Sequence, residues 1–222
     1  MGYKWDFSGV YSYLNLWIKG LGVTLAYSLG TVLGGLIIGV ICGMLLLYRR
    51  KWVTLPIHYY VEIFRCTPLL VQIVWFYYAL PVLLNVQIPA IAAAVMVLSC
   101  YTGAFYAEIF RGGIISIERG QWDAGRALGL RSWPMMRKVI LPQAVKRMIP
   151  PFVNQSITQL KNTSLVSIIA VPDLVYNATL INADTYRPLE VYTIVALIYF
   201  AILFPATLIA RRFERGLTYD KA

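Results

Sequence analysis

Residues 20–48 contain no charged side chain. A run of this length exceeds the roughly 20 residues an α-helix needs to cross a bilayer, and a soluble helix would have to charge its water-facing side. The rest of the chain repeats the pattern. Residues 66–107 are again uncharged and too long for one helix; Pro81 and Pro89, with Asn85 and Gln87 between them, divide the run into two spans joined by a turn. Residues 148–171 hold a span with one charge, Lys161, and residues 191–210 make the last span, closed by Arg211 and Arg212. The expected fold is an all-α integral membrane protein of five transmembrane helices: 20–48, 57–80, 89–110, 148–171 and 191–210. They form a single transmembrane domain, with a loop of residues 111–147 between the third and fourth. The composition agrees: 59% of the 222 residues are hydrophobic and 14% charged, against about a quarter charged in soluble domains.

Basic residues orient the spans. Of 20 Lys and Arg, three (Lys4, Lys19, Arg187) fall on one face, two (Arg65, Lys161) are embedded, and fifteen crowd the other face. Those are Arg49, Arg50 and Lys51, then Arg111, Arg119, Arg126, Arg131, Arg137, Lys138, Lys146 and Arg147, then Arg211, Arg212, Arg215 and Lys221. The positive-inside rule makes the crowded face cytoplasmic. The amino terminus then lies outside and the carboxyl terminus inside, as an odd number of spans requires. Topology thus accounts for nearly all of the +10 net charge, so no nucleic-acid partner is expected. The first apolar run is too long for a cleaved signal and its basic cluster follows it, so a retained anchor is expected.

Covalent chemistry has no candidate residues. Cys42, Cys66 and Cys100 stand alone in apolar settings and are expected to be buried packing residues. His58, the single histidine, is expected at the interface with no second ligand to share a metal. No nucleophile–base pair, phosphate loop or ligand cluster stands out, so no catalytic residue, cofactor or metal is expected in this chain.

The loop 111–147 is not a featureless connector. Within GQWDAGRALGLRSWPMMRKVILPQAV (residues 120–145), Trp122, Ala124, Ala127, Leu128 and Leu130 supply apolar contacts over about two helical turns. Gly125 and Gly129, four apart, expose backbone on one side. Each weakens a helix by about 1 kcal/mol relative to alanine, a cost best explained by a closely approaching surface. Gly129 can also end the short helix. A compact knob with basic surroundings suits a groove on a cytoplasmic partner.

Asp123-Ala124-Gly125, three residues, Gly129, nine residues, Val139, one residue and Leu141-Pro142 resemble the signature of ABC importer permeases. That signature reads Glu-Ala-Ala, three residues, Gly, nine residues, Ile, one residue, Leu-Pro. Three positions depart from it, Asp123 for Glu, Gly125 for Ala and Val139 for Ile, each keeping charge sign, small size or branching. FRCTPLLVQIVWFYYALP (64–81), YAEIFRGGIISIERGQ (106–121), LKNTSLVSIIAVPDL (160–174) and YRPLEVYTIVALIYF (186–200) look like the permeases of bacterial polar amino-acid importers. The resemblance implies a type I importer permease in the bacterial cytoplasmic (inner) membrane, paired with an identical or paralogous second permease. It further implies two cytoplasmic ATPase subunits that consume ATP with Mg, and an extracytoplasmic amino-acid-binding protein. The helix near Asp123 would be the coupling helix, with Asp123 its anchoring charge, Ala124 beside it, Gly125 and Gly129 its points of close approach, and Leu141-Pro142 completing the motif. Rocking around a central site is the expected motion.

The path itself is read from the fourth span. Charge inside a membrane is a functional hypothesis by default. If that span begins at Pro150-Pro151, Lys161 lies about 15 Å along it, half of a roughly 30 Å hydrocarbon layer. At about 100° per residue, Asn154, Gln155, Thr158, Gln159, Lys161 and Asn162 share one arc, while Val153, Ile157 and Leu160 face away. Two roles remain open for this face. Lys161 could meet the cargo carboxylate, with Asn162, Thr163 and Ser164 adding hydrogen bonds. Alternatively Lys161 could pair with Glu62 or Glu108 and brace the bundle. Glu62 and Arg65 are expected to form a local ion pair, and Gln72 is a further pathway candidate.

The stretch 172–190 reads as an external loop with Asp173, Asp184, Arg187 and Glu190 facing outward, either solvated or docking a binding protein. Two other function classes stay in view. An ion-gradient-driven transporter would need acidic relays, for which only Glu62 and Glu108 qualify, and a non-transporting scaffold leaves the polar face of span four without a use.

Overall fold

The computed structural model describes residues 3–48 and 50–218, the side chains of residues 213–218 excepted. Arg49, Lys221 and the side chain of Arg215, counted above among the basic residues, lie outside that description. Among the described residues there is no strand. After a single turn at Ser8–Tyr11, the helices are α1 (Leu14–Leu46), α2 (Lys51–Cys66), α3 (Leu69–Leu84), α4 (Ala90–Ile115), α5 (Arg119–Ala127), α6 (Ser132–Ile169), α7 (Leu174–Thr185) and α8 (Pro188–Thr218).

Three of these, α1, α4 and residues Pro188–Arg212 of α8, are long and apolar enough to cross a membrane. Two bent pairs, α2 with α3 (110°) and α6 with α7 (48°), bring the number up to five if each pair is one span. The first bend follows from Thr67-Pro68, both in extended conformation; proline excludes the residue before it from the helical region. Proline also widens helices here. Turns of π-helix at Trp75–Ala79 and Met136–Ile140 each end two residues before a proline, Pro81 and Pro142. A proline ring lacks the N–H for the carbonyl four residues back and pushes against it, so the turn opens.

The centre of the molecule is the seam between α1 and α4. Apart from Trp17, every buried residue of α1 is small: Gly20, Thr24, Ser28, Thr31, Gly35, Gly39 and Gly43, three or four apart along one face. A Cβ on Gly35 would come 2.7 Å from Thr102, one on Gly43 2.7 Å from Phe110, and one on Gly39 would run into Tyr106. Partner numbers rise together, so α1 and α4 run parallel. Two parallel helices joined by α2–α3 require that pair to carry the chain back across. By the same reasoning α6 is antiparallel to α4, because Tyr106 meets Ser156 at 2.6 Å while Gly113 meets Met148. Likewise α7 is antiparallel to α1: the Leu174 N–H donates to Thr24 Oγ1 at 3.1 Å and Asn177 Nδ2 to the Leu16 carbonyl at 2.9 Å.

Two expectations need correction. Residues 172–190 are not an open loop but hold α7 and the first turn of α8. Asp173 caps α7 by accepting from the Tyr176 N–H at 2.8 Å, and Leu174, Ala178 and Ile181 bury its inner side against Trp17 and Val191. Asp173 and Glu190, expected outside, are both 0% exposed. Cys66 is exposed at the bend, while Cys42 and Cys100 are half-buried.

Candidate functional site

Two places bring the sequence candidates together. At the basic end, α5 sits on a platform in which Ile117, Met135, Ile140, Ala144 and Met148 are buried, with Trp122 and Leu130 packed against them. Arg147 reaches Glu118 at 3.7 Å and Gln143 Nε2 donates to Gln121 Oε1 at 3.1 Å, tying the knob to α6. The helix ends at Gly129, the one described glycine with positive φ (+71°). The Leu130 N–H bonds to the Gly125 carbonyl at 3.0 Å and the Gly129 N–H to the Arg126 carbonyl at 2.9 Å, the paired closure that favours glycine.

Gly129 thus ends the short helix as its position in the sequence allows, whereas Gly125 plays a different part from the one expected. Gly125 is buried, and a Cβ there would stand 2.8 Å from Met135 Sδ, so its close approach is to its own chain. Gly129 is exposed with open space around it. On the outer side stand Ala124, Ala127 and Asp123, the last ion-paired to Arg126 at 3.0 Å with both side chains two-thirds exposed. Leu128 (78% exposed) and Trp133 (71%) add an apolar surface that is left uncovered among the described residues. Pro142 opens the α-helical part of α6 in its first turn and is exposed, and Leu141 beside it packs into the platform.

Within α6 the expected polar arc divides. Asn154, Thr158 and Lys161 are exposed on one face. Gln159 turns the other way, fully buried, and donates from Nε2 to Thr31 Oγ1 on α1 at 3.1 Å. Gln155 and Asn162 lie between, each with a buried amide nitrogen lacking a hydrogen-bond partner. Thr163 and Ser164 donate to the carbonyls of Leu160 (2.7 Å) and Lys161 (2.8 Å), and Ser167 does the same to Ser164 (2.8 Å). These three-residue back-bonds favour the tighter 3₁₀ turn, so the run Thr163–Ile169 is 3₁₀-helical. The Thr163 and Ser164 hydroxyls are thus both engaged by the backbone of their own helix.

The embedded charges pair differently from expectation. Glu108 receives a two-pronged bond from Arg111 (3.1 and 2.9 Å), with Arg65 4.0 Å away. Arg65 lies over the Phe105 ring, 5.6 Å from its centre, and so leans toward α4. Glu62 instead accepts from the Cys66 thiol at 3.4 Å. Among the described residues no carboxylate is within ion-pair distance of Lys161. Gln72 is buried, and its Nε2 sits 3.0 Å from the Phe64 carbonyl, 3.1 Å from that of Thr67 and 2.6 Å from Thr67 Oγ1. It closes the α2–α3 bend. The sequence reading missed Arg111 as the partner of Glu108, although their i,i+3 spacing shows it, and it missed the small-residue stripe of α1.

Residues 35–219 match the family described as binding-protein-dependent transport system inner membrane component. The glutamine transport system permease protein GlnP of Escherichia coli (strain K12) is 38% identical over 216 residues, covering 96% of this chain and 98% of that one. The arginine transport system permease protein ArtQ of Bacillus subtilis (strain 168) is 35% identical over 212 residues, covering 96% and 97%. Among solved structures, an amino acid ABC transporter crystallised with histidines matches with a TM-score of 0.91 at 36% identity, over 96% of this chain and 100% of that one. An inward-facing MetNI methionine ABC transporter shares the fold with a TM-score of 0.69 at 22% identity, over 89% and 96%. In sequence and in fold, this chain belongs to the family of binding-protein-dependent transport system inner membrane components.

Proposed function

We propose that this chain is the permease subunit of an ATP-driven ABC importer for polar amino acids. The observation that carries this reading is the likeness, along nearly its whole length, to permeases named for glutamine and arginine transport. Two copies, or this chain and a paralogue, line the path. The basic end faces the cytoplasm and the amino terminus faces outward, where a binding protein delivers cargo. Two ATPase subunits bind and hydrolyse ATP with Mg; no catalytic step belongs to this chain.

The geometry supports a division of labour. The outer surface of the α5 knob, with Asp123, Ala124, Ala127, Leu128 and Gly129, seats in the ATPase. Gly125 and Leu141-Pro142 hold that knob rigid from behind, so a movement of the ATPase reaches α6. The Asn154–Thr158–Lys161 face lines the path, where Lys161, without a carboxylate partner among the described residues, attracts the cargo carboxylate. Glu108, held by Arg111 and Arg65, braces α2 against α4.

Uptake of labelled amino acids into proteoliposomes holding the assembled transporter tests the reading. Uptake should require ATP, the ATPase subunits and the binding protein together. Transport by the permease alone on a proton or sodium gradient would overturn it in favour of a secondary transporter. Unchanged uptake after Leu128 and Trp133 are both replaced by Asp would overturn the assignment of the knob.

A further inference from the structure

At the end opposite the knob, residues 3–13 fold back over the α7–α8 corner. Glu190, 0% exposed, accepts from the Tyr3 hydroxyl at 2.5 Å and from the Asp6 N–H at 3.0 Å. Arg187 lies 3.4 Å from Glu190 and 3.7 Å from Asp6, and donates to the Lys4 carbonyl at 3.2 Å. Trp17 Nε1 donates to the Val10 carbonyl at 3.3 Å, Tyr13 bonds to Asp184, and Val10 is itself fully buried. Asp6 accepts from both the hydroxyl and the N–H of Ser8, which holds its carboxyl below the usual range. The segment is a strap fastened along its inner side.

Its outer side is aromatic. Tyr3, Trp5, Phe7 and Tyr11 form a continuous ring chain, with centres 5.7, 5.7 and 6.3 Å apart, and Tyr3, Trp5 and Tyr11 are each at least half exposed. Tyr11 leads, through Leu14 and Ile18, into the exposed apolar stripe of α1 that includes Leu25, Leu29 and Leu33. The level of the strap is set by its neighbours. At 33 residues, α1 is about 50 Å long, which leaves roughly 10 Å beyond the hydrocarbon at each end of a centred helix. Lys19 and Arg187, beside Glu190, mark where charge begins again on α1 and before α8.

We infer that the strap is an interfacial anchor whose aromatic side binds the headgroup and glycerol layer of the outer leaflet, fixing the depth of α1 relative to α8. Tyrosine and tryptophan favour that layer because one part of each ring system is apolar and another hydrogen-bonds. The occupant is lipid, because the aromatic side runs on into the exposed apolar stripe of α1, a helix long and apolar enough to cross a membrane.

The test uses the assembled transporter in nanodiscs. On a background with Cys42, Cys66 and Cys100 replaced by Ala or Ser, Trp5→Cys, Leu33→Cys and Ala183→Cys carry a bimane label one at a time. Lipids brominated near the glycerol should quench the label at residue 5 at least roughly two-fold more than lipids brominated near the chain ends, with residue 33 showing the reverse. Aqueous iodide should quench residue 5 less than residue 183. Combining Glu190→Gln with Tyr3→Phe should raise iodide quenching at residue 5 toward that at residue 183; no rise overturns the fastening. Equal iodide access at residues 5 and 183 overturns the lipid assignment. So does protection from iodide that appears only when the soluble binding protein is added, which would identify the strap as its docking surface. Because the readout is quenching and not uptake, these outcomes are independent of the transport assay.

Discussion

The seam between α1 and α4 and the open face of α6 lie side by side in one bundle and are built on opposite terms. On its α1 side the seam is made of glycine, serine and threonine, so the two parallel helices come close enough that an added methyl at Gly35 or Gly43 has no room. In lipid, where apolar burial drives little, such contact is what holds helices together. The α6 face is interrupted by Pro150 and Pro151, changes helix type at Thr163, bends 48° into α7 and carries a charge, Lys161, with no carboxylate partner among the described residues. The difference separates a part that must stay fixed from a part that can respond. The knob is rooted in the second part through the platform of α6 and in the first through Phe110 and Ile114 of α4.

The strongest way to break this contrast is to fill the seam. Gly39→Leu places a branched side chain where Tyr106 already sits, and overpacking of this kind costs about 1–3 kcal/mol or more. The expected result is a large fall in Tm in detergent and little monodisperse protein by size-exclusion chromatography. Gly30, with nothing within 4 Å of an added Cβ, supplies the control, since Gly30→Leu should behave as wild type. Equal behaviour of the two variants would show that the seam is not close-packed.

Next in size is Gly129→Val. A β-branched residue at φ +71° resists the left-handed region by at least about 1–2 kcal/mol, so the paired closure onto Gly125 and Arg126 opens and the knob loses its shape. Membrane insertion and Tm should change little, whereas ATPase retention on affinity-purified transporter and ATP-dependent uptake should both fall at least roughly ten-fold. Gly129→Asn, which tolerates the left-handed region, should recover most of both. Normal ATPase retention in Gly129→Val would contradict the coupling assignment.

How much of this was legible in sequence differs between the two regions for physical reasons. The spans of α1, α4 and α8 announce themselves by what they lack, since a charge there would be costly in lipid. The closure at Gly129 was readable because left-handed backbone favours glycine. The seam was only half readable: small residues three and four apart in α1 state that something comes close, but nothing local states that it is Thr102, Tyr106 and Phe110. For α6, helical arithmetic put the polar residues on one broad arc but could not show where that arc divides, because Thr31, which waits on the inner side for Gln159, is 128 positions away. The misreading of residues 172–190 has the same origin. Nothing local shows that Asn177 meets the Leu16 carbonyl, which is 161 positions away.

A third test sharpens the comparison from the side of α6. Lys161→Met keeps length and apolar stem but removes the charge. If the face lines the path, kcat/KM for uptake should fall about ten-fold, equivalent to roughly 1.4 kcal/mol, with Tm unchanged and partial recovery in Lys161→Arg. A fall in Tm with uptake kinetics intact would return Lys161 to the role of a brace.

The smallest expected effect lies where the two regions touch. Gln159 reaches the α1 side of the seam, as Ser156 reaches Tyr106 on the α4 side, and its single bond to Thr31 invites the view that it couples the two regions. The local hydrogen bonds argue otherwise. Thr31 keeps its own donor bond to the Tyr27 carbonyl at 2.7 Å whatever stands at position 159, and Gln159 Oε1 is already buried without a partner. Replacing a half-satisfied buried amide with an apolar group of similar volume is close to neutral, because the lost bond of about 1 kcal/mol is offset by relief of the unpaired oxygen. Gln159→Leu should therefore leave uptake unchanged and move Tm by no more than the equivalent of about 1 kcal/mol in either direction, measured on the transporter used for Gly39→Leu. A large loss of uptake with Tm preserved would mean that movement passes through this bond. The seam would then be part of the moving machinery rather than its fixed frame.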